Sequence, residues 1–304
     1  MARVNIPQKG DTIGIAAPSS HFDKEMFKQG VAILKQCGFH SYYREDIFDQ
    51  NRYFAGDDKR RANELNELFL NKDVKAILFA RGGYGSQRIL HLLDLSSIKK
   101  KPKPVVGFSD TTSLITFLRQ EVNIPTLYGP SVLQIGSGLT FGAIKSFVSA
   151  LTGHGPIGKT ISKTAQTLKT GEAGGVLVGG CLSLINHGIG TAYELNTKNT
   201  ILFFEDINEK VYELDRMLIQ LKHAGKMSKV KGIIIGSMIL DQNEKYDFKE
   251  MILDIFNDFD GPIINDFAVG HFDNTQTLPF GVKVVLKADK NTEPIIDFKT
   301  SLYE

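Results

Sequence analysis

Three side chains on three separate segments have the types that acyl transfer to and from a hydroxyl requires. Ser109 sits in GFSDTT (107–112), between the short apolar run Val105 to Phe108 and a helical pattern from Thr111 to Glu121. A serine on such a strand-to-helix turn presents its hydroxyl above a sheet, and the next N–H, that of Asp110, can face the same space. The pattern departs from a G-x-S-x-G elbow because Thr111 stands where the second glycine would be, and Ser109 or Asp110 could equally cap the helix. Glu205 ends the apolar run ILFF at 201–204. A carboxylate there is less solvated than one on a helix face and has a specific partner, the ordinary alternative being an ion pair or a cap for the following helix. His271 follows Gly270 in GHFDNTQTLPFG, a loop that suits a base as well as a hydrogen-bonded structural histidine.

Other motifs admit more than one chemistry. RGGYGSQR (81–88) follows an apolar run and precedes a helix, but Arg88 occupies the place of the third glycine of a dinucleotide fingerprint. Its glycines serve a tight turn, a cofactor loop, or an oxyanion loop in which Gly82 or Gly83 offers an N–H and Arg81 meets a substrate carboxylate. Gly153, Gly158, Lys159 and Thr160 match the pattern of a phosphate loop. The flanks are wrong for it, since a working loop needs a strand before it and a helix after it. Cys37 and Cys181 are isolated and read as buried small residues. The seven histidines form no metal-ligand spacing, so no metal and no cofactor is expected.

The elements that must position these residues alternate. Thr12 to Ala17, Val74 to Phe79 and Val105 to Phe108 read as strands, with helical spacing at Phe27, Val31 and Leu34 between the first two, the signature of a parallel sheet flanked by helices. Ligands bind outside the carboxyl ends of such strands, where RGGYGS and GFSDTT fall. The polar stretch 153–174 reads as a linker between an α/β domain at 1–152 and a β-rich domain at 175–304. The second domain carries strands at Thr200 to Phe204 and Gly232 to Ile235, a helix around Leu214 to Leu221 and a β-rich end near Val282 to Leu286.

With 304 residues the chain can bury a sizeable core, and 42% apolar residues are ordinary for a water-soluble protein. Thirty-six Lys and Arg against 34 Asp and Glu leave a formal charge of +2, which indicates no nucleic-acid partner. The first twenty residues lack the charged and apolar regions of a signal peptide, and no run of about 18 apolar residues follows, so no membrane partner and a cytoplasmic location are expected.

Taken together and in order, GDTIGIAAPSS, ARGGYGSQRIL, VVGFSDTTSL, GGCLSLI, LFFEDINEKVYELDRML, GIIIGSM and GHFDNTQTLPFG resemble the LD-carboxypeptidase family of serine peptidases. The resemblance implies a flavodoxin-like, doubly wound N-terminal domain, a smaller β-rich C-terminal domain, a catalytic cleft between them and a homodimer. It assigns the nucleophile to Ser109, the acidic member of a triad to Glu205 and the base to His271. Oxyanion donors fall on the Asp110 N–H and on Gly82 or Gly83. The implied activity is release of terminal D-alanine from muramyl tetrapeptides during cell-wall peptide recycling. A same-family amidase that cleaves an aminoacyl-nucleotide antibiotic is the alternative. That subfamily is expected to offer an aromatic platform to the base, and this chain has no Trp. A non-catalytic protein using RGGYGSQR as a phosphate loop is the rival from another class.

Overall fold

The computed structural model of the protein describes residues 4–156, 158–240 and 244–303. In chain order the first part runs β1 (Thr12–Ala16), α1 (Lys24–Gln36), β2 (His40–Tyr42), α2 (Asp58–Leu70), β3 (Val74–Phe79), α3 (Leu95–Lys100), β4 (Val105–Gly107), α4 (Thr112–Val122), β5 (Thr126–Tyr128), α5 (Val132–Gly136) and α6 (Phe141–Leu151). The second part runs β6 (Gly158–Ile161), β7 (Gln166–Lys169), β8 (Gly171–Cys181), α7 (Leu182–His187), β9 (Thr200–Ile207), α8 (Val211–His223), β10 (Gly232–Ile239), α9 (Glu244–Ile255), β11 (Ile263–Asn265), β12 (Leu278–Phe280), β13 (Lys283–Ala288) and β14 (Ile295–Phe298).

The chain divides into two compact units, residues 1–155 with 273–279 and 302–304, and residues 156–272 with 280–301. In the first unit β2-β1-β3-β4-β5 form a parallel sheet, with β12 added beyond β5. The order 2-1-3-4-5 is that of flavodoxin-like sheets, with its topological switch between β1 and β3. Strands β3 and β4 are almost wholly buried, which is why they read as unbroken apolar runs rather than alternating ones. Asp23 and Asp57 start α1 and α2 by accepting hydrogen bonds from the Met26 and Arg60 N–H groups at 2.7 Å.

The second unit is built on an eight-stranded mixed sheet, ordered β6-β14-β13-β8-β9-β10-β11-β7. Strands β8 to β11 pair in parallel, and the outer strands pair antiparallel. One face of β9 and β10 packs Leu202, Phe204, Ile233 and Ile235 against Leu214, Leu218 and Leu221 of α8 and Ile252 of α9. The amphipathic period of α8 supplies that apolar stripe.

The stretch expected to be a linker is instead structured. Residues 153–174 contribute β6, β7 and the start of β8, with β6 and β7 at opposite edges of the second sheet. Edge strands need burial on little of their surface, so their Lys, Thr and Gln composition conceals them in the sequence. The second departure is that 273–279 returns to the first unit, where β12 joins its sheet. Cys181 is buried as expected, whereas Cys37, at the end of α1, is only half-buried. No helix among the described residues is long and apolar enough to cross a membrane.

Candidate active site

In the first unit, the loops that follow β1, β3 and β4 are laced together at the carboxyl ends of their strands. The Ala80 N–H donates to the Ala16 carbonyl at 2.8 Å and the Ser20 N–H to the Gly82 carbonyl at 3.4 Å. Ser109 opens a single 3-10 turn, Ser109–Thr111, and adopts φ of 58°, a left-handed conformation that costs a non-glycine residue of order 1–3 kcal/mol. Such strain persists only where the surroundings impose it, and here they do. The Asp110 side chain does not cap α4. It is buried and accepts from the Ser19 hydroxyl at 2.6 Å and the Ser86 N–H at 2.9 Å, while its carbonyl accepts from the Ser86 hydroxyl at 2.7 Å. Burial pushes the Asp110 carboxyl above its ordinary value of 3.8, against the lowering effect of those hydrogen bonds. The Ser109 N–H points to the Tyr128 hydroxyl at 3.4 Å.

The missing second glycine of the elbow is accounted for by Gly107. The Thr111 hydroxyl donates to the Phe108 carbonyl at 2.8 Å and lies where a side chain at Gly107 would stand. Thr111 fits because residue 107 has no side chain.

Gly82 is the glycine that touches the serine. A Cβ placed on it would lie 2.9 Å from Ser109 Cβ and 3.1 Å from Ser109 Oγ, so any larger residue displaces the hydroxyl. Gly83, at φ of 98°, packs on Ser20 instead. Arg81 is exposed and donates from Nη1 to the His21 carbonyl at 2.6 Å.

In the second unit, Glu205 and His271 come together. His271 Nδ1 lies 2.8 Å from Glu205 Oε2; the Glu205 side chain is fully buried and that of His271 is 14% exposed. Successive residues of a strand point to opposite faces, and the two adjacent carboxylates of β9 accordingly have different tasks. Asp206 accepts from the Ser183 N–H at the start of α7 at 2.7 Å, while Glu205 turns to the imidazole and does not cap the helix that follows β9. Gly270, at φ of 140°, makes the pair possible, because a Cβ there would come within 2.7 Å of Glu205 Oε2. Burial lowers the His271 pKa, but the hydrogen bond and charge of Glu205, with the charge of Asp206, outweigh it and raise it above the ordinary 6.5. The arrangement can hold an imidazole in one tautomer, with Nδ1–H toward Glu205 and Nε2 as the basic nitrogen. His187 is placed differently, its Nδ1 lying 2.6 Å from the Ser183 carbonyl of its own helix.

The phosphate-loop pattern lacks the strand before it and the helix after it. Gly158, Lys159 and Thr160 lie in β6, where Lys159 is paired with Asp297 of β14, and no helix follows to receive an anion. Sequence reasoning missed Ser19, Ser86 and Tyr128, and it noted Gly270 without the room that its missing side chain leaves for Glu205. The Pro-Ser-Ser end of the β1 loop and the glycine before His271 were the available signals, but which loops meet is a matter of sheet order.

Two family profiles match the chain in order: the LD-carboxypeptidase N-terminal domain over residues 13–129 and the LD-carboxypeptidase C-terminal domain over residues 174–286. A probable murein peptide carboxypeptidase of Bacillus subtilis is 32% identical over 293 residues, covering 94% of this chain and 92% of that protein. The microcin C7 self-immunity protein MccF of Escherichia coli is 27% identical over 327 residues, covering 95% and 94%. Among solved structures, muramoyltetrapeptide carboxypeptidase from Oxalobacter formigenes superposes with a TM-score of 0.84 at 28% identity, covering 95% of this chain and 99% of the other. An MccF-like protein from Bacillus anthracis gives 0.89 at 28% identity, covering 97% and 98%. The fold and these matches define a peptidase of two α/β units. The chain belongs to the LD-carboxypeptidase family.

Proposed function

We propose that the protein is a serine-type LD-carboxypeptidase that releases terminal D-alanine from muramyl tetrapeptides, serving the recycling of cell-wall peptides in the cytoplasm. The observation that carries the serine chemistry is the buried Glu205–His271 pair, with Nδ1 held at 2.8 Å from the carboxylate. In this reading His271 Nε2 takes the proton of the Ser109 hydroxyl as Oγ attacks the scissile carbonyl, and Glu205 stabilises the imidazolium that forms. The N–H groups of Asp110 and of Gly82 or Gly83 receive the developing oxyanion, Gly82 being favoured by its contact with Ser109. The imidazolium then protonates the departing amine of D-alanine, and water repeats the sequence to free the acyl group from Ser109. Arg81 is assigned the terminal carboxylate, whose planar geometry suits a guanidinium fork.

The test is incubation with the muramyl tetrapeptide and with the pentapeptide ending in D-Ala-D-Ala, following D-alanine by mass spectrometry. Release from the tetrapeptide alone is expected, because one added residue moves the terminal carboxylate by up to ~3.5 Å from where Arg81 holds it. Equal release from both, or cleavage of an aminoacyl-nucleotide only, contradicts the substrate assignment. The latter outcome would favour the same-family amidase alternative.

Activity should rise with pH along a single ionisation with a midpoint above 6.5, since His271 acts when neutral and its pKa is raised. Stability should move the opposite way. A pKa raised in the folded state makes the pair's contribution fully present below 6.5 and lost as pH climbs through the folded value. Rates and melting temperatures measured from pH 5 to 9 check both signs, and a rate independent of pH over that range contradicts the assignment of His271 as base.

A further inference from the structure

Resting on the reading of the protein as a carboxypeptidase, we propose that Arg52, Tyr53 and Tyr84 form a subsite that binds a second carboxylate of an acidic peptide, one other than its C-terminal carboxylate. Tyr53 and Tyr84 are 50% and 46% exposed, yet their rings are held in place. Their centroids lie 5.8 Å apart, and both pack on Phe54, at 4.3 Å and 5.6 Å. Phe54 is itself buried, with the Arg61 guanidinium 4.6 Å from its ring centre.

This aromatic floor is fastened to the loops around Ser109. The His21 N–H donates to the Tyr53 carbonyl at 3.2 Å, the Ala55 N–H to the Ser19 carbonyl at 3.0 Å, and the Tyr84 N–H to the Ser20 hydroxyl at 3.0 Å. Gly85, at φ of 132°, has no room for a side chain because the Arg61 guanidinium and the Phe54 ring fill that space. Tyr84 is two residues beyond Gly82, the glycine in contact with Ser109, so the two Cα atoms are no more than about 7 Å apart. That is the span of about two residues of an extended peptide.

The charge around the floor is positive. Arg52, held in a left-handed turn at φ of 56°, places its guanidinium 5.6 Å from the Tyr53 ring centre and 5.5 Å from that of Phe54. Among the described residues it has no carboxylate partner. Arg88 and Arg61 share Asp58, so one acidic side chain serves two of the guanidinium groups. A guanidinium laid along aromatic faces keeps its edge N–H groups for bidentate contact with a carboxylate, while the rings cover apolar parts of the same ligand. An acidic peptide is the chemistry this surface complements.

The experiment separates binding from turnover. Isothermal titration with Ser109→Ala protein uses a tetrapeptide that ends in a diamino acid and D-alanine and carries a free carboxylate on its second residue, and the same peptide with that carboxylate amidated. Arg52→Ala should weaken binding of the free acid about tenfold or more and leave the amide unchanged, in keeping with a hydrogen bond to a charged group. Tyr84→Ala should weaken both peptides, and Tyr84→Phe neither. Equal binding of acid and amide, or an Arg52→Ala effect of the same size on both, overturns the subsite. The D-alanine assay with the unaltered enzyme is scored separately: turnover with Arg52-independent binding sinks the subsite alone, whereas Arg52-dependent binding without turnover sinks the carboxypeptidase reading alone.

Discussion

Ser109→Ala is expected to lower the rate of D-alanine release by at least ~10³ while leaving the protein folded, because in the proposed mechanism it removes the nucleophile, closing the covalent route and leaving only binding and oxyanion stabilisation. The structure makes this a clean substitution. Asp110, not Ser109, carries the side-chain hydrogen bonds that pin the turn, through Ser19 and Ser86, and alanine keeps the Cβ that sits against Gly82. The melting temperature should therefore change little. Steady-state rates with the tetrapeptide, beside a thermal melt, check both halves. Near-normal turnover would remove Ser109 from the chemistry, and the other loops would have to be searched for the nucleophile.

The second large effect comes from severing the Glu205–His271 pair. His271→Ala should cost ~10³ or more in rate, and Glu205→Gln about 10², since the imidazole survives in the latter but loses the charge that orients it and stabilises its protonated form. Gly270→Ala tests the geometry without touching either group. Its Cβ would stand 2.7 Å from Glu205 Oε2, so the carboxylate must move and activity should fall between those of Glu205→Gln and the unaltered enzyme. His271→Ala also takes a hydrogen-bond donor from a fully buried carboxylate, a loss worth about 1–3 kcal/mol, and should lower the melting temperature where Ser109→Ala does not. If His187→Ala proved the damaging histidine change, the base would be misassigned.

How much of this was legible in the sequence differs by element. Strands β1, β3, β4, β9 and β10 announced themselves because buried parallel strands carry apolar stretches, such as ILF of β3, ILFF of β9 and III of β10, without polar alternation. Strands β6 and β7 did not, because four-residue edge strands can be polar and still pair. The return of 273–279 to the first unit rests on the short β12 and on loop hydrogen bonds of Asp273 and Asn274 to Thr140 and of Thr277 to Ser146, none of which leaves a period in the sequence. For the site, residue types and settings mark Ser109 and Glu205 at strand ends and His271 in a glycine-flanked loop, but each also admits an ordinary structural reading, and only the joint order of the motifs favours the catalytic one. Nothing local marked the left-handed backbone of Ser109, since such a conformation ordinarily signals glycine. Nor could spacing reveal that Glu205 and not Asp206 meets the imidazole. That choice depends on which face of β9 is turned toward the 270 loop, and only the register of the sheet decides it.

Covalent labelling distinguishes whether Ser109 is a nucleophile activated by His271. The protein is treated with a fluorophosphonate, which reacts with an activated serine, and the adduct is located by intact mass and peptide mapping. One equivalent on Ser109 is expected, formed faster as pH rises through the His271 ionisation above 6.5 and lost in both Ser109→Ala and His271→Ala. An adduct on another residue, or labelling of Ser109 that is indifferent to His271→Ala, would contradict the account.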